Sequence, residues 1–220
     1  MSKWYEHMSC ASYTQIMDSN DWDKRYEAAD NIWSLTPNQF VVEYLSDLPT
    51  GSVIDLAGGE GRNALWFASR GWQAENADFS PVALEKFSDR AVQEGLAEHC
   101  VATCIDATAA EPTFALAPVD LGMIIYLQID AEGLAQAIVS LVAALKSQGT
   151  FFGVWHAREN LDGGFGGPQD PAVLPTQDEL RTACARAGLG EPLIEIKRRP
   201  VQVEGIERVA IDVVVVAKKP

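Results

Sequence analysis

The feature that most restricts what this chain can become is the run Val53-Ile54-Asp55-Leu56-Ala57-Gly58-Gly59-Glu60-Gly61-Arg62-Asn63. It reads as a buried strand with a carboxylate near its end, followed by a glycine-rich turn and the first turn of a helix. Such a turn lets backbone approach a ligand where a Cβ would collide. It also aims the unpaired N–H groups of a helix N-terminus at a polar or negatively charged group. The expectation is an α/β fold that holds a nucleoside cofactor here.

Two cofactor classes compete for the turn. Gly59-Glu60-Gly61-Arg62-Asn63-Ala64 satisfies the dinucleotide pattern G-x-G-x-x-G/A, which keeps an NAD-dependent oxidoreductase as the alternative. Asp55 weighs against it, because a carboxylate just before the glycines repels a pyrophosphate. S-adenosylmethionine (SAM) has no phosphate and carries a sulfonium and an ammonium, which a nearby carboxylate attracts. The spacing Asp55-x-Ala57-x-Gly59-x-Gly61 resembles the first motif of class I SAM-dependent methyltransferases, with Ala57 replacing the first glycine.

Composition limits the rest. At 220 residues and 47% hydrophobic content, residues 1–220 form one α/β domain with decorations. Seventeen basic against 31 acidic side chains give a net charge of −14, which repels phosphate backbones and offers nothing to an anionic membrane surface. The expected partner is a small-molecule methyl acceptor, with no nucleic acid and no membrane. No apolar run approaches the ~20 residues of a membrane span and the N-terminus lacks a signal-peptide layout, so a cytoplasmic protein is expected. Cys10, Cys100, Cys104 and Cys184 contain no C-x-x-C pair and lie near no matching His/Cys cluster, which predicts unpaired thiols and no metal.

Along the chain, strands and helices alternate. Apolar residues 64–68 predict a helix stopped at Gly71, and 72–78 a second strand. Ser80-Pro81 supplies an N-cap and N1 for a helix with Leu84, Phe87 and Ala91 inward. Strands follow at 101–105 and 119–126, the latter too continuously apolar for a half-exposed sheet. Leu134, Ala137, Ile138, Leu141, Val142 and Leu145 then mark a helix, and 150–156 a fifth strand. Residues 157–175 contain Gly163-Gly164-Phe165-Gly166-Gly167-Pro168 and no periodicity, so they are expected to form a long loop, a candidate lid. Thr176-Gln177-Asp178-Glu179 is a capping box for a last helix. Leu193–Val203 and Ile206–Ala217 are expected to form a hairpin around Glu204-Gly205. Five β/α units with a terminal antiparallel pair make a doubly wound, Rossmann-like sheet. The methyltransferase resemblance implies seven strands in the order 3-2-1-4-5-7-6, strand 7 antiparallel, with helices on both faces.

In an open α/β sheet the ligand lies beyond the carboxyl ends of the strands at the switch point. Asp78 ends strand two at 78 − 55 = 23 positions after Asp55, close to the ~20-residue offset of a ribose-binding acid. A turn-forming role is its alternative. Phe79 is a candidate for the adenine face, with Ser80 beside it. The resemblance implies that Asp106, with Ala107, accepts from the adenine amino group; an Asp after a strand is also an ordinary turn former. Asn63 and Arg62 are candidates for the methionine carboxylate, and the resemblance places Tyr126 beside the methyl group.

Upstream, Trp22-Asp23-Lys24-Arg25-Tyr26, Trp33 and Pro37-Asn38 resemble an element of small-molecule methyltransferases related to the tellurite-resistance and thiopurine enzymes. The resemblance extends from about Trp22 to the C-terminus and includes Asp78-Phe79-Ser80-Pro81 and Gly166-Gly167-Pro168. It implies that residues 1–45 form a helical cap closing over the cofactor, with Arg25 and Trp33 near its methionine portion. The aromatic residues could equally pack the cap onto the sheet. The expected activity is direct displacement of the SAM methyl group onto a small acceptor, releasing S-adenosylhomocysteine. A SAM-binding protein without transfer is a further alternative. His156 and Gln128, with Tyr126, border the acceptor side, and His156 is the candidate general base. None of these motifs specifies the acceptor atom or the oligomeric state.

Overall fold

The computed structural model describes residues 18–32, 34–203 and 205–220, so Trp33 and the beginning of the expected cap lie outside the described residues. Two short helices precede the sheet, α1 (Ser19–Glu27) and α2 (Gln39–Leu45). Asp18 caps the first and Asn38 the second, each accepting a backbone N–H inside the first turn.

The strands are β1 (Ser52–Leu56), β2 (Gln73–Asp78), β3 (Cys100–Cys104), β4 (Val119–Ile125), β5 (Leu145–His156), β6 (Leu193–Val203) and β7 (Ile206–Lys218). They form one sheet in the order β3-β2-β1-β4-β5-β7-β6. The first five are parallel, and β7 runs antiparallel to both β5 and β6. The connecting helices are α3 (Arg62–Ala68), α4 (Pro81–Gln93), α5 (Ala131–Ala143), the single turn α6 (Asn160–Gly163) and α7 (Gln177–Arg186). The expected fold and strand order are those observed, and the expected caps at Ser80 and Thr176 both form.

Side-chain alternation splits the core into two layers. One face of the sheet packs Ile54, Ile124, Phe151, Trp155 and Val213 against α5 and α7. The other packs Val53, Met123, Phe152, Val154 and Val214 against α2, α3 and α4. Asp55, Asn76, Asp78, His156 and Asp212 share strand parity with this second set, so their side chains project on one face. That face also carries α1, packed on α4.

Three local expectations change. The apolar period puts Leu145 at the end of a helix, but α5 stops at Ala143 and Leu145 opens β5, paired with Val119 across a register irregularity. Its burial is satisfied by either assignment, so periodicity could not choose; the sheet ladder did. The apolar run extends strand four to Tyr126, but the ladder ends at Ile125 and Tyr126 turns into the left-handed region with φ +62°. The segment 157–175 carries α6 and a 3₁₀ turn at Pro171–Val173 and is tied down along its length. Arg158 donates to the Leu174 carbonyl and pairs with Glu179, while Asn160 donates to the Gly166 carbonyl and accepts the Ile211 N–H.

Candidate active site

The glycine turn sits where the strand order reverses, between β1 and β4. Ala57, Gly59 and Gly61 have φ of +59°, +56° and +72°. Ala57 therefore does more than add a methyl group to the motif: it holds an L-residue in left-handed backbone, a cost of about 1 kcal/mol that glycine avoids. Its N–H is fixed to the Ala77 carbonyl at 2.7 Å. Gly58 and Gly61 are required sterically. A Cβ at Gly58 would stand 2.1 Å from Asn76 Oδ1, and one at Gly61 2.1 Å from Phe87 Cδ2. The motif pattern had not singled out Gly58.

Asp78 lies 5% exposed at the end of β2. Its Oδ2 accepts the Gly59 N–H at 2.8 Å and its Oδ1 the Ser80 N–H at 2.9 Å. A carboxylate has about four acceptor positions, so acceptor capacity remains for a hydroxyl donor. Burial pushes its carboxyl upward against the stabilisation by these backbone donors. Ser80 is wholly buried, its hydroxyl accepting the Ala83 N–H as the α4 cap and donating to Asp23 of α1. Phe79 is half-buried beside it, and Ala107 is buried. Asp106 lies two residues beyond β3, exposed, accepting the backbone N–H and hydroxyl of Thr108.

The N-terminal segment is fastened across the turn. Asn63, 3% exposed, accepts the Asn38 N–H at 2.9 Å and points its amide Nδ2 at Asp55 Oδ2, 3.4 Å away. Arg62 donates to the Ser34 hydroxyl. Glu60 accepts the Ile32 N–H at 3.0 Å and pairs with Lys86 at 3.3 Å. Lys86 in turn donates to the carbonyls of Tyr26, Ala29 and Asp30, gathering the chain that leaves α1. Arg25 stacks on Trp22 at 5.2 Å, and Trp22 packs on Tyr26. Lys86 and Glu60 had no sequence signal beyond their proximity to the motifs.

On the acceptor side, antiparallel pairing sets His156 opposite Asp212, and Asp212 opposite Lys197. His156 Nδ1 stands 3.1 Å from Asp212 Oδ1, close enough for an ion pair but off the alignment of a hydrogen bond. Asp212 is completely buried, and its Oδ2 accepts from Arg199 Nε at 2.7 Å. Burial works to raise the Asp212 carboxyl, but His156 and Arg199 overcome it and hold it below the usual range. The Tyr126 ring lies 4.9 Å from the His156 ring, and the Arg199 guanidinium 5.9 Å from Tyr126. The Tyr126 hydroxyl is buried near Asn38 without an aligned partner. Burial, then the Asp212 charge, push it well above the ordinary phenol range.

Gln128 is committed at both ends. Its Oε1 accepts the His156 N–H at 2.8 Å and its Nε2 donates to the Val173 carbonyl at 2.6 Å, pinning the 157–175 segment to the end of β5. Gly167, at φ +73°, lies flat on the imidazole, where a Cβ would come within 2.6 Å of His156 Cδ2. Asp212 and Arg199 were missed in the sequence. The available signal was one charge inside the otherwise apolar run 209–217.

Strand order, the antiparallel seventh strand and a glycine turn at the switch point define the class I methyltransferase fold. Residues 53–149, from β1 into β5, match the family described as a methyltransferase domain. No curated protein matches the sequence. Among solved structures, the fold is shared with a protein described under the conversion of a disulfide bond into a thioacetal group during echinomycin biosynthesis. That protein is 18% identical over 91% of each chain, with a TM-score of 0.71. TehB from Haemophilus influenzae is 15% identical over 92% of this chain and 67% of its own, with a TM-score of 0.64. The glycopeptide N-methyltransferase MtfA, solved with SAM, is 17% identical over 84% of this chain and 88% of its own, with a TM-score of 0.60. The dinucleotide alternative does not account for the methyltransferase-domain match or for the closing 5-7-6 arrangement. Among the described residues, no helix is long and apolar enough to cross a membrane and no group of three His, Cys, Asp or Glu is placed to hold a metal.

Proposed function

We propose that the protein transfers the methyl group of SAM, held over the glycine turn, to a small-molecule acceptor that enters beside Tyr126 and His156. The observation that carries this reading is the shared face: the turn with Asp78 and the His156–Asp212–Arg199 group project on the same side, joined through Asn38, which touches Asn63 and lies beside Tyr126. The donor set suits SAM: carboxylates on β1 and β2 beside the turn, with spare acceptor capacity on Asp78. SAM supplies an electrophilic methyl group on a sulfonium.

Asp78 receives the ribose hydroxyls, Phe79 borders the adenine, and Asp106 and Ala107 close the adenine end. Ser80 acts by fixing α4 and α1. Asn63 and Arg25 face the methionine portion, and the segment 18–45 excludes water from it. In-line displacement draws mainly on positioning and dehydration. Tyr126 borders the methyl group, Gln128 holds the His156 backbone, and His156, oriented by Asp212, takes a proton from hydroxyl or amine acceptors. A thiolate acceptor needs no base.

A small acceptor is favoured by the acidic surface and by the segment 157–175 folded against His156. A reducing, cytoplasmic setting fits Cys100, Cys104 and Cys184, which are free thiols. The test combines SAM calorimetry, with NADH as control, and a panel of thiol, amine and hydroxyl acceptors read by S-adenosylhomocysteine release. SAM binding with turnover on one acceptor class is expected. Binding of NADH but not SAM would sink the reading, and SAM binding with no turnover across a wide panel would favour a sensor.

A further inference from the structure

Beneath the glycine turn, Asp55 and Asn76 face each other across paired strands. The parallel register of β1 and β2 sets them directly opposite, on the same face, and both are completely buried. Asn76 Nδ2 donates to the Gly59 carbonyl at 2.8 Å, which fixes the amide and turns its Oδ1 inward. That oxygen has no hydrogen-bond partner, and neither has Asp55 Oδ1. The two groups converge under Gly58, where a Cβ would stand 2.1 Å from Asn76 Oδ1 and 2.9 Å from the Asp55 carboxyl carbon and its Oδ2. Neighbouring buried acceptors without a donor are costly, and one proton on the carboxyl turns them into a donor and an acceptor.

We propose that Asn76 is a positioning residue of the cofactor turn, accepting a proton-bearing Asp55 on one side and holding the Gly59 carbonyl on the other, and that binding of the cationic cofactor releases the Asp55 proton. The proposal rests on the reading that SAM occupies this turn. The proton leaves Asp55 for solvent, and the resulting carboxylate faces the new positive charge.

The surroundings set the balance. Burial pushes the Asp55 carboxyl up to about 7 from 3.8, and the nearby charge of Asp78 pushes the same way. The Asn63 amide, the Arg62 guanidinium of the first α3 turn and the Ala64 N–H oppose it. On the flanking strands the partners are neutral: Met123 of β4 opposite Asp55 and Ala102 of β3 opposite Asn76. The Lys86–Glu60 pair is the charged contact on the turn itself.

The test is calorimetric titration of SAM from about pH 6 to about pH 8, in buffers of different ionisation enthalpy, on the wild-type chain and Asp55→Asn. The Asn amide can donate to Asn76 Oδ1 as the acid does, so the fold is kept and the ionisation removed. The wild type is expected to bind about tenfold tighter at the upper pH, with proton release centred near neutrality, and Asp55→Asn to lack that gain. The free ligand's own amine titrates in the same window for both proteins, so the readout is the difference in affinity gain and in protons released between them. Asn76→Ala should move the midpoint of the gain to lower pH, because the neutral acid loses its acceptor. A merely structural role would lower affinity at every pH equally.

A second measurement needs no cofactor. The folded chain holds the Asp55 proton more tightly than the unfolded chain, so the stability it contributes is full in acid and is lost as pH rises from about 4 toward 7. Asp55→Asn should flatten that part of the urea-unfolding profile. Matching profiles for wild type and Asp55→Asn, in binding and in unfolding, would overturn the proposal while leaving the cofactor reading intact. Failure of SAM to bind the wild type at any pH would overturn both.

Discussion

The two ends of the site are fastened in different ways. At the cofactor end, Asp78 reaches the N–H groups of Gly59 and Ser80, Asn76 the Gly59 carbonyl, and Ala57 the Ala77 carbonyl, all within one β-α-β unit. At the acceptor end, Tyr126, His156, Arg199 and Asp212 come from four strands or their ends, and a single fully buried carboxylate holds the Arg and His side chains. The first arrangement distributes its strength over many backbone hydrogen bonds. The second concentrates it in one residue. Damage at the cofactor end should therefore register mainly in binding, and damage at the acceptor end in stability or turnover.

The largest effect that would expose this contrast is expected for Asp212→Ala, which removes the fully buried carboxylate shared by Arg199 and His156. Removing one partner of a buried pair costs about 3–5 kcal/mol, read as a fall in the urea-unfolding free energy. A loss below about 1 kcal/mol, within the range of exposed pairs, would mean that the group is solvated and the contrast is wrong.

Asp78→Ala comes next. It removes charge-assisted contacts to the turn and its ribose acceptor, worth about 1.5–3 kcal/mol each, so SAM should bind roughly ten- to a hundredfold more weakly by calorimetry. Unchanged affinity would remove Asp78 from the cofactor site. His156→Gln sharpens the acceptor side: turnover of hydroxyl or amine acceptors should fall about a hundredfold with SAM affinity unchanged, while a thiol acceptor is barely affected. Equal loss on all acceptors would argue for packing against Gly167 and Tyr126 in place of proton transfer.

The smallest effect is expected for Lys86→Met, which releases the carbonyls that follow α1 and the ion pair to Glu60. SAM should dissociate severalfold faster in stopped-flow chase experiments, roughly the loss of one or two partly exposed hydrogen bonds. An unchanged dissociation rate would detach the N-terminal segment from cofactor retention.

Much of the cofactor end was legible because its determinants are close in sequence. Glycines after a buried strand, Asp78 23 positions beyond Asp55, and the Ser80-Pro81 cap are local patterns with local causes. Their partners were less legible. Asn76 looks like an ordinary polar residue in a strand until β1 and β2 are paired and its oxygen meets Gly58. Gln128 was read by position as an acceptor-side group, yet the direction of its amide makes it a clamp between His156 and Val173. Leu145 fits a helical stripe and a strand start equally well, and only the ladder with Val119 distinguishes them.

By itself the sequence determined the doubly wound sheet, the order of its elements and the turn where the cofactor belongs. Hydrophobic period, caps and glycine turns act over a few residues, so they can be read along the chain. Tertiary structure decided the acceptor end. His156, Asp212 and Arg199 meet only because the antiparallel register of β5, β7 and β6 aligns them, and a one-residue slip would send those side chains to the opposite face.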